Sequence, residues 1–199
     1  MATVETAAGV VCLAATAVGV GAVVVLHMLP TGLSPVRNAV SQYGITRYRL
    51  GYRVQTISLG VAGAAAAVGI AEAAPGRGRF VLVVLGVFAV ARLAISWFPM
   101  DAPGSEPTSD GRAHGLLAIA TFLAIIVAAA RLPQLVHTVG GWHGVATASV
   151  VIAWAMVASM VAMIASRRSS GTRGYFGMAE RVFYVAIVAW LVAVGIALV

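Results

Sequence analysis

The stretch AAGVVCLAATAVGVGAVVVLHML, residues 7–29, runs for 23 residues without a single Asp, Glu, Lys or Arg. An α-helix needs about 20 apolar residues to cross ~30 Å of hydrocarbon at ~1.5 Å per residue. Five more apolar stretches of similar length follow it, at residues 52–73, 80–98, 113–132, 143–166 and 182–199. The sequence therefore predicts an all-α polytopic integral membrane protein, a six-transmembrane-helix bundle that forms one domain over residues 1–199.

The composition supports this class. Mean hydropathy is +0.98, and only 10% of the residues are charged, against about 25% in soluble domains. The apolar runs are continuous and about twice as long as the alternating strands of a membrane barrel. The net charge of +7 comes from arginines in short loops, which is typical of membrane insertion and does not indicate a nucleic-acid partner. The lipid bilayer is the expected partner.

The arginines are unevenly divided between the two ends of the predicted helices. The first, third and fifth loops hold nine of the 13, at positions 37, 47, 49, 53, 112, 167, 168, 173 and 181. The opposite end holds three, at positions 77, 79 and 131. Because cytoplasmic loops are enriched in positive residues, we expect the odd-numbered loops in the cytoplasm and both termini outside a prokaryotic cell membrane.

The first loop has the pattern of a short interfacial helix. Ser34 suits its N-cap, Pro35 its first position, and Gly44 the residue just past its end. Its apolar residues recur at helical spacing, at Val36, Val40 and Tyr43. We expect this stripe to face lipid or the bundle.

The third loop, in contrast, has a sequence that disfavours a helix. Pro99, Pro103 and Pro107 exclude regular structure there. Asp110 is the candidate N-cap of the fourth span.

Residues capable of chemistry concentrate at the odd-loop end. They are His27, Ser41, Tyr43, Asp101, His114, Glu180 and Arg181. If the helices close into a bundle, these side chains converge in one shallow layer.

Two interpretations of this layer remain open. His27, Asp101 and His114 are candidate metal ligands, since two imidazoles and a carboxylate are a common zinc or iron set. Asp101, His114 and Ser41 are candidate catalytic residues, and a haem held by the two histidines is a further variant. The alternative is a hydrogen-bonded polar network or binding site. No two of these residues have a diagnostic spacing, so no cofactor is assigned.

Arg92 stands alone inside the third span, about two turns before Pro99. A charge at that depth costs at least ~2.5 kcal/mol, so Arg92 must snorkel, pair with an acid or line a wet cavity. Its role is then either a structural buried ion pair or the binding of an anionic ligand head. Glu180 and Asp101 are the acids available on its side. The predicted ligand-binding set is Arg92, Asp101, His114, Glu180, Arg181 and Tyr43.

The chain resembles the prokaryotic six-helix membrane family catalogued as domain of unknown function 998. The resemblance rests on Pro35 and the Ser-Gln-Tyr-Gly run at residues 41–44, on Phe-Pro-Met-Asp at residues 98–101, on His114-Gly115, and on Glu180-Arg181 with Tyr184. It covers most of the chain and implies the fold and the location of a site, but no reaction.

A second, weaker resemblance is to the membrane hydrolase superfamily that includes alkaline ceramidases. Ser41, Asp101, His27 and His114 are similar to the serine, aspartate and histidines with which those enzymes hold zinc near one membrane face. This chain lacks their paired-histidine motif in a final helix, and it has six predicted spans where they have seven.

Three functions follow as hypotheses. The first is binding of a lipid headgroup, a small anion or a partner at the odd-loop face. The second is a membrane-embedded lipid hydrolase, with or without a metal ion, and the third is a transporter or channel component. The sequence does not decide whether the protein is an enzyme, and it leaves the oligomeric state open.

Overall fold

The computed structural model describes residues 3–137, 139–168 and 173–199, and within these ranges it is helical with no β-strand. Its α-helices are α1 (Val4–Met28), α2 (Arg49–Ala73), α3 (Arg79–Ile95), α4 (Ser109–Val136), α5 (His143–Arg168) and α6 (Phe176–Ala197). Two short 3₁₀ helices, Val40–Ile45 and Arg173–Tyr175, lie in the first and fifth loops. The all-α expectation is confirmed.

Five of these helices, α1, α2, α4, α5 and α6, are long and apolar enough to cross a membrane. The chain is therefore described as a multi-pass membrane protein. Helix α3 is shorter than the predicted third span, with 17 residues and a length of about 26 Å. It ends at Ile95 because the chain turns before Pro99, and the residue that precedes a proline disfavours the helical conformation.

Consecutive helices pack against each other, and α1 also contacts α6. Near one end of the α1–α6 contact, the Cys12 thiol lies 3.4 Å from the Leu191 carbonyl oxygen. At the other end, Arg181 bonds to His27, so α1 and α6 run antiparallel. The Ser41 hydroxyl lies 3.1 Å from the Met100 sulfur, which brings the first and third loops to that same end. We call it the loop end.

The first loop differs from its predicted helix. Residues 35–38 form turns, and the only helical segment is the 3₁₀ helix Val40–Ile45. The side chain of Asn38 explains the difference, because its Oδ1 accepts the Ser34 N–H at 2.8 Å and holds the chain in a turn. Val40 and Tyr43, each 1% exposed, pack together with Leu26 and Tyr52. The apolar stripe therefore faces the other helices.

Candidate functional site

A cavity of about 610 Å³ opens between the loop end and the adjoining halves of the helices. Its polar lining comes from Ser41, Tyr52, Arg92, Asp101, His114, Arg167, Glu180 and Tyr184. The remainder is largely aliphatic, methionine and phenylalanine side chains of α4 and α5. Of the residues predicted to bind a ligand, Arg92, Asp101, His114 and Glu180 line this cavity.

Arg92 is 1% exposed and lies in the last turn of α3. Its Nη1 donates to the Tyr184 hydroxyl at 3.0 Å, and its guanidinium carbon is 5.3 Å from the centre of that ring. Its Nε and Nη2 are buried and have no hydrogen-bond partner among the described residues. The expected ion pair with an acid does not form: the fixed partner of Arg92 is a phenol, which leaves one edge of the guanidinium unpaired.

Glu180 is also buried, with 5% of its surface exposed, and its carboxylate binds a backbone amide of the first loop. Its Oε2 accepts the Val40 N–H at 2.7 Å. That amide begins the first-loop 3₁₀ helix, where backbone N–H groups lack partners within the helix. Glu180 therefore fixes the first loop against α6, and among the described residues no hydrogen bond joins its carboxylate to Arg92.

His114 lies in the second turn of α4, because that helix begins at Ser109 and not at the predicted residue 113. The carbonyl oxygen of Phe98 is 2.8 Å from His114 Nδ1, so Nδ1 carries the proton and donates it. The other ring nitrogen, Nε2, keeps its lone pair and bonds to no described residue. It is one of the acceptors in the cavity lining.

Asp101 stabilises the start of α4. Its carboxylate accepts from the Thr108 hydroxyl at 2.6 Å and from the Thr108 backbone N–H. Thr108 is itself the N-cap, since its hydroxyl accepts the Gly111 N–H at 3.0 Å. The expectation that Asp110 caps this helix is thus wrong; Asp110 lies in the first turn. A Cβ at residue 111 would overlap the Asp101 carboxylate, so a larger residue there would displace that carboxylate from its present position against Thr108.

His27, Arg181 and Tyr43 do not line the cavity but form a separate contact behind the first loop. Arg181 Nε donates to His27 Nε2 at 2.7 Å, and Arg181 Nη1 donates to the Asn38 carbonyl at 2.8 Å. The His27 Nδ1 must then carry the proton that it shares with the Val23 carbonyl, 2.6 Å away. The ring of Tyr43 meets that of His27 edge-on, with centroids 5.6 Å apart.

This arrangement does not bring the predicted metal set together. Both ring nitrogens of His27 are engaged, and the Asp101 carboxylate is directed to the cap of α4. Within the described ranges, no three His, Cys, Asp or Glu side chains are grouped as ligands of one ion. The candidate catalytic residues Ser41, Asp101 and His114 line the same cavity, but they are not joined by hydrogen bonds. Ser41 donates to the Met100 sulfur, and neither it nor Asp101 bonds to His114.

Tyr52, Arg167 and Tyr184 are the polar lining residues that the sequence interpretation did not assign to the site. A signal for Tyr184 was present, since it lies four residues after Glu180 and therefore on the same face of α6. Tyr52 opens the second span and carried no comparable signal.

A family model described as protein of unknown function DUF998 matches residues 8–197, nearly the whole chain. The chain belongs to the DUF998 family. The resemblance drawn from the short motifs at residues 41–44, 98–101, 114–115 and 180–184 is thereby confirmed. Neither a search of curated proteins nor a search of solved structures found a match. Membership in DUF998 supports the fold and assigns no reaction, so a function has to be argued from the cavity.

Proposed function

We propose that the cavity binds an anionic headgroup, with Arg92 as the residue that holds it. The observation that carries this proposal is the pair of unpartnered donors, Nε and Nη2, on a guanidinium that is 1% exposed. These two N–H groups point along one edge of the guanidinium, the edge that binds two oxygens of a phosphate or carboxylate side by side. Burying the charge costs at least ~2.5 kcal/mol, and a bound oxyanion would offset that cost.

Other groups of the cavity fit the same ligand. Tyr184 holds the guanidinium from the opposite edge and so fixes its orientation. His114 Nε2 can accept a hydrogen bond from a hydroxyl or protonated phosphate oxygen, while Arg167 adds a second positive charge to the lining. Glu180 accepts the Val40 N–H and makes no hydrogen bond to the guanidinium, whose Nε and Nη2 remain for the ligand.

The headgroup proposal is tested by equilibrium binding of phosphatidate and of phosphatidylcholine to the detergent-solubilised protein, measured by native mass spectrometry. We expect Arg92→Met to weaken phosphatidate binding at least about 30-fold, since charge-assisted hydrogen bonds contribute ~2 kcal/mol or more. Arg131→Met is the matched control, because it removes the same charge from an exposed arginine whose one side-chain hydrogen bond to a described residue goes to Gln134. Equal affinities of the wild-type protein and Arg92→Met would contradict the proposal.

The hydrolase alternative rests on one observation, the free Nε2 of His114, which has the lone pair that a general base needs. No described hydroxyl or carboxylate is bonded to it, so a nucleophile would have to be a water molecule. The transporter alternative has less support, because the residues that line the cavity belong to the loop end and the adjoining halves of the helices, and a transport path would have to continue to the other end.

We further propose that α3 completes six crossings, with the loop end in the cytoplasm and both termini outside a prokaryotic cell membrane. Helix α3 packs against both α2 and α4. Because Ser41, before α2, contacts Met100, after α3, the chain must leave the loop end along α2 and return to it along α3. The arginine bias supplies the direction.

Reporter fusions that are active only in the cytoplasm test this orientation. A fusion within residues 104–109 is expected to be active, and one after Val199 inactive. The reverse pattern would overturn the orientation. A further fusion within residues 75–78, between α2 and α3, is expected to be inactive, and activity there equal to that within residues 104–109 would overturn the crossing of α3.

A further inference from the structure

We propose that the ligand is a membrane lipid that enters the cavity sideways from the bilayer, with its acyl chain lying between α4 and α5. This inference rests on the proposed function, since it takes the headgroup to be held by Arg92. It adds the class of ligand and the route by which the ligand arrives.

The wall of the cavity between α4 and α5 reaches the outer surface of the protein. Ile119, Leu123 and Ile164 line the cavity, and they are also 56%, 49% and 48% exposed. A side chain can do both only where the cavity is open at the helix surface. Helices α4 and α5 are both long and apolar enough to span the membrane, so this opening faces lipid hydrocarbon.

The interior of this opening suits an acyl chain. Phe122, Met160 and Met163 lie behind the exposed aliphatic residues and continue the apolar lining inward. Methionine side chains adapt their shape to a flexible partner better than branched residues do. A volume of about 610 Å³ also far exceeds what a small inorganic anion would fill.

The polar and apolar parts of the cavity follow one another in the order that a lipid requires. The unpaired edge of Arg92 and the Nε2 of His114 lie toward the loop end, where headgroups belong. The methionine-rich part lies further along α4 and α5, toward the middle of the predicted bilayer. A water-soluble anion would satisfy Arg92 but would leave the apolar part without an occupant.

The chain offers a matched pair of variants for this site. Gly115 lines the cavity on α4, and a Cβ added there would meet no atom within 4 Å. A leucine at this position would therefore add side-chain volume at the cavity wall, starting from a Cβ that displaces no described atom. Gly86 of α3 has equal space around it but does not line the cavity, so Gly86→Leu controls for the effect of a leucine in a helix.

The experiment is photo-crosslinking of a phosphatidate that carries a diazirine in one acyl chain, in nanodiscs of phosphatidylcholine, followed by peptide mapping. We expect labels to concentrate at residues 118–123 and 160–164, to fall at least tenfold in Gly115→Leu, and to persist in Gly86→Leu. Unlabelled phosphatidate should compete, whereas glycerol 3-phosphate, which has the same headgroup without chains, should compete at least 100-fold less well.

The outcomes separate this inference from the function on which it rests. Labels spread over the outer faces of α1 and α3, or competition by glycerol 3-phosphate equal to that by phosphatidate, would overturn the lateral lipid site. Labelling between α4 and α5 that is equally strong in Arg92→Met would instead overturn the headgroup role of Arg92.

Discussion

Replacing Glu180 with alanine is expected to lower the midpoint of thermal unfolding in detergent by roughly 6–12 °C, from a loss of ~3 kcal/mol. The change leaves the buried N–H of Val40 without its acceptor, which alone costs ~1–3 kcal/mol. It also removes a carboxylate from the cavity in which the charge of Arg92 is buried. The first consequence acts on the contact between the first loop and α6, and the second acts on the surroundings of Arg92 in α3.

Two further variants separate these causes. Glu180→Gln keeps an oxygen that can accept from Val40, so we expect it to recover at least half of the loss. Adding Arg92→Met to Glu180→Ala should restore part of the remainder, because the buried charge is then absent. If the alanine and glutamine variants unfold at the same temperature, the bond to Val40 is not what holds the loop.

Gly177→Ala is expected to separate the first loop from α6. A Cβ at residue 177 would lie 2.5 Å from the Asn38 carbonyl oxygen and 2.7 Å from that of Pro35. Both are backbone atoms that cannot rotate aside, and the neighbouring Met178 N–H bonds to the Val36 carbonyl at 2.9 Å. Overpacking of this kind costs ~1–3 kcal/mol or more.

Limited trypsin digestion measures this separation directly. The exposed Arg37 lies in the first loop, and we expect cleavage after it to accelerate at least tenfold in Gly177→Ala. Gly174→Ala is the matched control, since a Cβ there meets nothing within 4 Å. Equal cleavage rates in the two variants would mean that the contact at residue 177 is not needed to seat the loop.

Hydropathy predicted most helices to within a few residues. The first span was expected at residues 7–29 and is Val4–Met28, since a long apolar run leaves little freedom in where a helix can be. The third was expected to reach residue 98 but ends at Ile95. Trp97 and Phe98 are apolar and so extend the pattern, although the chain has already turned. Hydropathy measures preference for lipid and does not mark the last helical residue.

The first loop was harder to predict, because one side chain decides its conformation. The signals at Ser34 and Gly44 are those of an α-helix, but the amide of Asn38 competes by bonding to the Ser34 N–H. Glu180 then binds the Val40 N–H from another helix, 140 residues away in sequence. A contact of that separation has no local signature.

The sequence was sufficient to predict at which end of the helices the candidate site lies. It was not sufficient to predict which side chains of the site form hydrogen bonds with each other. Arg92, Asp101, His114 and Glu180 share the loop end, which follows from counting spans, and they line one cavity. Which side chains meet depends on the rotation of each helix about its axis. Hydropathy alone does not fix that rotation, and so Tyr184 was not anticipated as the partner of Arg92.

The central claim is that the unpaired edge of Arg92 holds the headgroup of a lipid. The most direct measurement is an experimental structure of the protein in nanodiscs that contain phosphatidate. We expect density for a phosphate with oxygens about 3 Å from Nε and Nη2 of Arg92, and density for an acyl chain between α4 and α5. A structure in which those two nitrogens bond to a carboxylate of the protein, with no lipid in the cavity, would contradict it.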